Sequence, residues 1–155
     1  MTQEKAKCAT KGLQRLLFSG KKSHMRVVDG EKPQVFTIGY QGRDVPGLIQ
    51  VLAENGVALL VDVREKPYGR KVQFNRRALS GALAVAGIEY AWMGDRLGGF
   101  TCSRDDWLAG CAVVTQWAKS KSLVLMCLER SVKACHRQKL AEILAQEHGI
   151  GIVNL

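Results

Sequence analysis

The stretch LVLMCLERSVKACHRQKLAEIL, residues 123–144, carries two thiols, a carboxylate, an imidazole and a guanidinium within eleven positions: Cys127, Glu129, Cys135, His136 and Arg137. These are the side chains of nucleophilic and acid/base catalysis. Cys135, His136 and Arg137 precede an amphipathic pattern, so they are expected in the first turn of a helix, where a thiol pKa falls and anions are attracted. Cys135 is therefore a candidate thiolate. Helical phase puts His136 on the face of Leu140, Ile143 and Leu144, toward a sheet, and turns Cys135 sideways with Gln138, Lys139 and Glu142. Alternation along the preceding strand puts Cys127 and Glu129 on one side. Cys127, Glu129 and His136 thus form the geometrically coherent trio, with Cys135 beside it. The competing reading is structural: a small buried Cys127, a capping His136, and a Glu129 paired with Arg130 or Arg137. No metal is expected, because no two cysteines have a CxxC spacing and further ligands would come from distant loops. No cofactor is expected either.

A second group of polar residues lies in DVREKPYGRKVQFNRR, residues 62–77. From Arg64 to Arg77 it holds six Lys/Arg against one Glu, with Tyr68 and Phe74 interleaved. Such a loop can hold phosphates through Arg64, Arg70 and Lys71 and stack a ring on Tyr68 or on Trp92. The alternative is a solvated loop whose arginines pair with Asp95, Asp105 or Asp106. Asp62 and Arg64 sit two apart and project the same way from a strand end, as a ligand clamp or a structural ion pair. A third stretch, MGDRLGGFTCSR (93–104), places Gly98 and Gly99 between Arg96 and Phe100. There the backbone can approach a ligand closely, or make a plain turn.

The elements that must position these groups alternate between short β-rich runs and longer helical patterns, the sign of parallel strands joined by crossover helices. Strands are expected at 35–40, 57–63, 88–92, 122–128 and 150–155. Asp44 is expected to cap a helix bearing Leu48, Ile49 and Leu52, and Asn75 one bearing Leu79 and Leu83; Asp105 and Asp106 are expected to open one bearing Cys111 and Val114, their charge suiting its N-terminus. The fold class is α/β: a single open, mostly parallel five-stranded sheet flanked by helices, βαβαβαβαβ. Open sheets of this kind bind ligands beyond the carboxyl ends of their strands, and all three polar stretches fall there.

Length and composition agree with one domain: 155 residues, 46% hydrophobic. Of the net charge of +9, a share of +5 lies in residues 1–33, with eight Lys/Arg against three Asp/Glu. Residues 1–33 are expected to be a basic extension, in part tag-derived if His24-Met25 is a cloning junction, and 34–155 the α/β domain. No run of apolar residues reaches the length of a membrane span. Five cysteines at irregular spacing suit reduced thiols, so a cytoplasmic protein with no membrane partner is expected.

Residues 36–155, about three quarters of the chain, resemble the bacterial and archaeal family known as domain of unknown function 488. The resemblance lies in FTIGYQGR, GVALLVDVREKPYGR, QFNRRAL, GIEYAWMGDRLGG and LVLMCLERSVKACHR. It implies a compact α/β domain and a motif set of Gly39, Asp62, Arg64, Pro67, Phe74, Leu79, Tyr90, Leu97, Gly98, Gly99, Cys127, Glu129, Cys135, His136 and Arg137, with no established reaction. A looser likeness to rhodanese sulfurtransferases rests on DVRE (62–65) and on Cys127 ending a strand. It departs at Leu128-Glu129-Arg130, which has no glycine and sets a carboxylate beside the thiol, opposing thiolate formation.

The functional expectation is an enzyme acting on a phosphate-bearing substrate, a nucleotide or nucleic acid. Arg64, Arg70, Lys71 and Arg137 supply anion contacts, Tyr68 or Trp92 a stacking surface, Glu129 and His136 acid/base capacity, and Cys127 or Cys135 a nucleophile if thiol chemistry occurs. The alternatives are a non-catalytic DNA- or RNA-binding domain and a rhodanese-like sulfurtransferase using Cys127.

Overall fold

A computed structural model describes residues 32–155. The basic extension, apart from Lys32 and Pro33, lies outside the described residues. Five strands, β1 (Gln34–Gly39), β2 (Leu59–Asp62), β3 (Glu89–Trp92), β4 (Leu123–Cys127) and β5 (Gly151–Asn154), form one sheet in the order β3-β2-β4-β1-β5. Every pairing is parallel. The expected class is therefore the observed one, with the sheet entirely rather than mostly parallel.

Residue alternation along the strands builds two cores. Val35, Leu59, Val61, Leu123 and Leu125 face helices α4 (Arg104–Ala118) and α5 (Arg137–His148) through Cys111, Val114, Leu140, Ile143 and Leu144. Ile38, Leu60, Val124 and Met126 face α1 (Val45–Glu54) and α2 (Arg76–Val85) through Leu48, Leu52, Leu79 and Leu83. With both faces covered, all five residues of β4 are buried, which explains its unbroken apolar run. Each such Leu contributes roughly 1.5–3 kcal/mol by leaving water.

Local signals fix the helix ends. Asp44 caps α1 by accepting from the Gly47 amide at 2.8 Å. Gly149 ends α5 in the left-handed region, φ 65°. Helix α4 carries Asp105 and Asp106 in its first turn, as expected, and its cap is Ser103: the Ser103 side chain accepts from the Asp106 amide while Asp106 reaches back to the Ser103 amide. A single turn, α3 (Gly94–Leu97), sits inside the stretch expected to be loop. Asn75 precedes α2 without capping it; its Oδ1 instead accepts from the Gly69 amide at 2.8 Å.

The strand order places the site. The chain leaves β1 and β2 over the face of α1 and α2, then leaves β3 and β4 over the face of α4 and α5. The connection leaving β4 thus crosses the opposite face from those leaving its neighbours β1 and β2, which opens a crevice at its carboxyl end. Cys127 is the last residue of β4.

Candidate active site

The floor of the crevice is a buried polar ladder. Arg64 holds Asp62 in a two-pronged pair, Nε to Oδ1 at 2.8 Å and Nη2 to Oδ2 at 2.6 Å, and also donates to the Phe74 carbonyl and the Tyr40 hydroxyl. Tyr90 donates to Asp62 Oδ2 at 2.6 Å, and burial followed by the Asp62 charge pushes its hydroxyl pKa up. Tyr40 and Phe74 stack with centroids 4.2 Å apart. Asp62 is fully buried and Arg64 is 8% exposed. Arg64 is placed here as an internal strut with its guanidinium turned into the protein, and the expected phosphate contact has no outward-facing group.

Glu65, next along, ties this floor to the glycine loop. Its Oε1 accepts from the Phe100 amide at 2.7 Å, the Thr101 amide at 2.6 Å and the Thr101 hydroxyl at 3.1 Å. The Thr101 amide foremost holds the Glu65 carboxyl below its ordinary pKa. The two glycines permit this closeness. A Cβ on Gly98 would lie 2.1 Å from Glu65 Cγ, and one on Gly99 would lie 2.8 Å from the His136 ring. Close approach is thus the role of Gly98 and Gly99, and what approaches is the protein's own Glu65 and His136.

The thiols meet above β4. Cys127 Sγ lies 3.2 Å from Glu129 Oε2; Cys135 Sγ lies 3.7 Å from His136 Nδ1 and 3.5 Å from the Arg137 Nε donor. Arg137 also donates through Nη2 to the Glu129 carbonyl and is only 1% exposed. It buttresses the loop from inside, like Arg64, rather than facing solvent. The Cys127, Cys135 and His136 donor atoms all lie within 4.8 Å of one another.

This departs from the helical-phase expectation. Residues 132–134 form a 3₁₀ turn, Cys135 is extended at φ −130°, ψ 147°, and α5 begins only at Arg137. A 100° phase does not apply to Cys135, so its sulfur turns back toward Cys127 rather than sideways. The two cysteines belong to one group.

Their surroundings push the two thiols in opposite directions. The hydrogen bond from Cys127 holds the Cys135 pKa well below the usual thiol range, with further donation from His136 and from the Arg137 amide and side chain, against the opposing effect of burial. The complementary hydrogen bond to Cys135, then burial and the Glu129 charge, push Cys127 up. Burial works against protonation of His136, but the Cys135 thiolate outweighs it and raises the imidazole pKa. His136 and Cys135 therefore each favour the other's charged form. The His136 Nε2 is buried without a hydrogen-bond partner.

Among the described residues, Cys127, Cys135 and His136 are the set able to ligate a metal jointly. Their chemistry suits a soft dication, but the Arg137 guanidinium bonded to Cys135 sets a buried positive charge against one.

The remaining candidates lie to one side. Tyr68, Arg70 and Lys71 are exposed on the loop after β2, and Arg96 is exposed on α3. Trp92 is half-buried, its indole donating to the Arg64 carbonyl at 2.7 Å and covered by Arg76, whose Cζ is 5.1 Å from the ring centroid. Glu65, Pro67, Tyr68, Asn75, Arg76, Arg77 and Trp92 line a cleft of about 430 Å³. Glu65 belongs to both places, lining this cleft and holding the loop that packs on His136. Glu65, Arg76 and Arg77 were not among the expected site residues; the signal for Glu65 was its standing as the lone acid in the basic run.

Fold and site together define an all-parallel α/β domain with a paired-cysteine site at the carboxyl end of its central strand. Residues 44–110 match the family described as Domain of unknown function DUF488. The resemblance read from the motifs is therefore a match to that family over those residues, which include DVRE and LGG and stop short of the cysteine pair. No curated protein matches the chain. Among solved structures, a candidate phosphatase (DUF442) from Shewanella putrefaciens CN-32 superimposes with a TM-score of 0.52 at 16% identity, over 77% of this chain and 67% of that one. At that identity the likeness is one of fold.

Proposed function

We propose that the protein is an enzyme acting on a phosphate-bearing substrate of the nucleotide or nucleic-acid class, with Cys135 as nucleophile. The observation that carries the reading is the Cys135 sulfur, bracketed by Cys127, His136 and Arg137 at the start of α5. A thiolate at neutral pH needs this kind of support and serves covalent catalysis. A cleft joined to it through Glu65, which holds the loop that packs on His136, offers Arg76 and Arg77 to phosphate and Tyr68 and Trp92 to a flat ring; Arg70 and Lys71 extend the positive field along the loop.

In this reading the Cys135 thiolate attacks phosphorus, an S–P bond forms, and the ester oxygen leaves with the proton held by His136. Water then cleaves the S–P bond, with Glu129 as the base within reach of Cys127. The comparison protein's description as a candidate phosphatase is compatible with this chemistry. Sulfur transfer through Cys127 has less support, since that thiol keeps its proton beside a carboxylate.

The test is turnover of nucleotides, oligonucleotides and an aryl phosphate by the wild-type protein and by C135S, with mass spectrometry for phosphate on Cys135. Activity lost in C135S and a trapped phosphocysteine are expected. Undiminished turnover by a folded C135S, or no turnover of any of these substrates by the wild type, would overturn the reading. Unchanged nucleic-acid binding by inactive E129Q and H136A would then point to the binding-domain alternative.

A further inference from the structure

The cysteine pair has more chemistry than phosphoryl transfer uses. Cys127 has no part in that reading as a nucleophile, yet its sulfur lies with that of Cys135 and the His136 ring nitrogen inside one 4.8 Å group. It ends a rigid central strand, whereas Cys135 sits on a connection, residues 128–136, that contains a single 3₁₀ turn. Bond formation needs the sulfurs to close to about 2.05 Å, and Cys135, on the connection rather than in the sheet, is the one whose backbone can give. Cys135 is 9% exposed and Cys127 6%. Both are buried, so only a reagent as small as hydrogen peroxide suits the site, and Cys127 lies within the same group of donor atoms as Cys135.

We propose that Cys135 and Cys127 form a peroxide-reactive dithiol, Cys135 the attacking and Cys127 the resolving thiol. The Cys135 thiolate attacks one oxygen of hydrogen peroxide; the O–O bond breaks, the sulfur becomes a sulfenic acid, and the departing hydroxide takes the proton of His136 to leave as water. Cys127 then attacks the sulfenic sulfur, the S–O bond breaks, and the Cys127 proton leaves with the hydroxyl as a second water. Two thiols are oxidised to one disulfide and one peroxide is reduced to two waters. Cys111, buried between α4 and α5 against the Leu140 carbonyl, and Cys102, whose pKa burial raises, have no such partner among the described residues.

The inference does not rest on the phosphate reading, and its test reads thiols rather than turnover. Reduced full-length protein is treated with hydrogen peroxide and the disulfides are mapped by peptide mass. Wild type is expected to lose the Cys127 and Cys135 thiols together, as one cross-linked peptide pair, and to recover both with dithiothreitol. C127S is expected to stop at a Cys135 sulfenic acid trapped by dimedone, and C135S to leave Cys127 unmodified. Circular dichroism establishes that both variants fold, and the wild-type map stands without them. Wild type that accumulates Cys135 sulfenic acid with Cys127 still free overturns the proposal, as does Cys102 reacting ahead of Cys135. One equivalent of zinc retained on purification that shields both thiols until chelated also overturns it.

Discussion

At the scale of single residues, the buried Arg137 governs the site. It supports Cys135 through its guanidinium and the loop backbone through the Glu129 carbonyl. Replacing it by Met removes a buried charge bonded to a thiolate and is expected to cost about 3 kcal/mol in denaturant unfolding. It should also raise the Cys135 pKa, read as alkylation that becomes steeply pH-dependent near neutrality. In the wild type the folded Cys135 pKa is depressed from the ordinary 9.0, so its stabilising contribution is fully present above that value and declines as pH falls toward the lowered one. Iodoacetamide labelling of Cys135 should accordingly stay nearly flat from pH 8 down to pH 5, while labelling of Cys102, whose pKa is raised, falls about tenfold per unit. Flat labelling at Cys102 and steep labelling at Cys135 would reverse the assignment of thiolate. Little of this pairing was legible in the sequence. Residue types announced the chemistry, but the relation of Cys135 to Cys127 depends on where α5 begins, and a 3₁₀ turn followed by an extended Cys135 undid a helical phase. For Arg64 and Arg137 an anion contact and an internal pairing both stayed open in the sequence, because the carboxylate and carbonyls that bury each charge come from the folded chain.

At the scale of elements, strand positions and the four long helices followed from alternation, apolar runs and capping residues, because each signal is local. Helix α3 and the Ser103 cap were missed because a single turn leaves no periodicity, and a Ser followed by Asp reads as ordinary loop. The close approaches between elements were invisible for the opposite reason, since they join distant segments. Gly39 is the tightest: a Cβ there would lie 1.9 Å from the Glu129 carbonyl oxygen. Backbone cannot rotate aside as a side chain can. Gly39→Ala is therefore expected to push the loop off β1 and cost more than about 3 kcal/mol, with Cys135 labelling becoming pH-dependent as the loop shifts. Gly99→Ala meets only the His136 ring, 2.8 Å away, and should cost about 1–2 kcal/mol while displacing the imidazole. The measurement is melting temperature together with labelling. A Gly39→Ala variant that melts like wild type would remove the close approach as a constraint.

At the scale of the whole molecule, positive charge and aromatic surface gather on one side of the carboxyl edge, around the cleft of Arg76, Arg77, Tyr68 and Trp92. Binding of a single-stranded oligonucleotide there should weaken linearly in log affinity against log salt. Replacing Arg76 and Arg77 together by Ala should reduce the slope by about 1–2, without altering the mapped cysteine reactivity. A slope near zero in the wild type would remove phosphate contact as the basis of binding. No helix among the described residues is long and apolar enough to cross a membrane. The strand order also bears on how the chain is made. The two strands flanking β4 are β1 and β2, and Val35 pairs with Leu123 across most of the chain. Until the last third emerges, β1 and β2 have no strand between them, and the sheet stays in two pieces. Contacts of such long sequence separation form late and slowly. The 44–110 segment that matches the family holds only β2 and β3, so as an isolated peptide it should remain unfolded. The reactive thiol lies past the final insertion, which means that the molecule acquires its chemistry only on completing its fold.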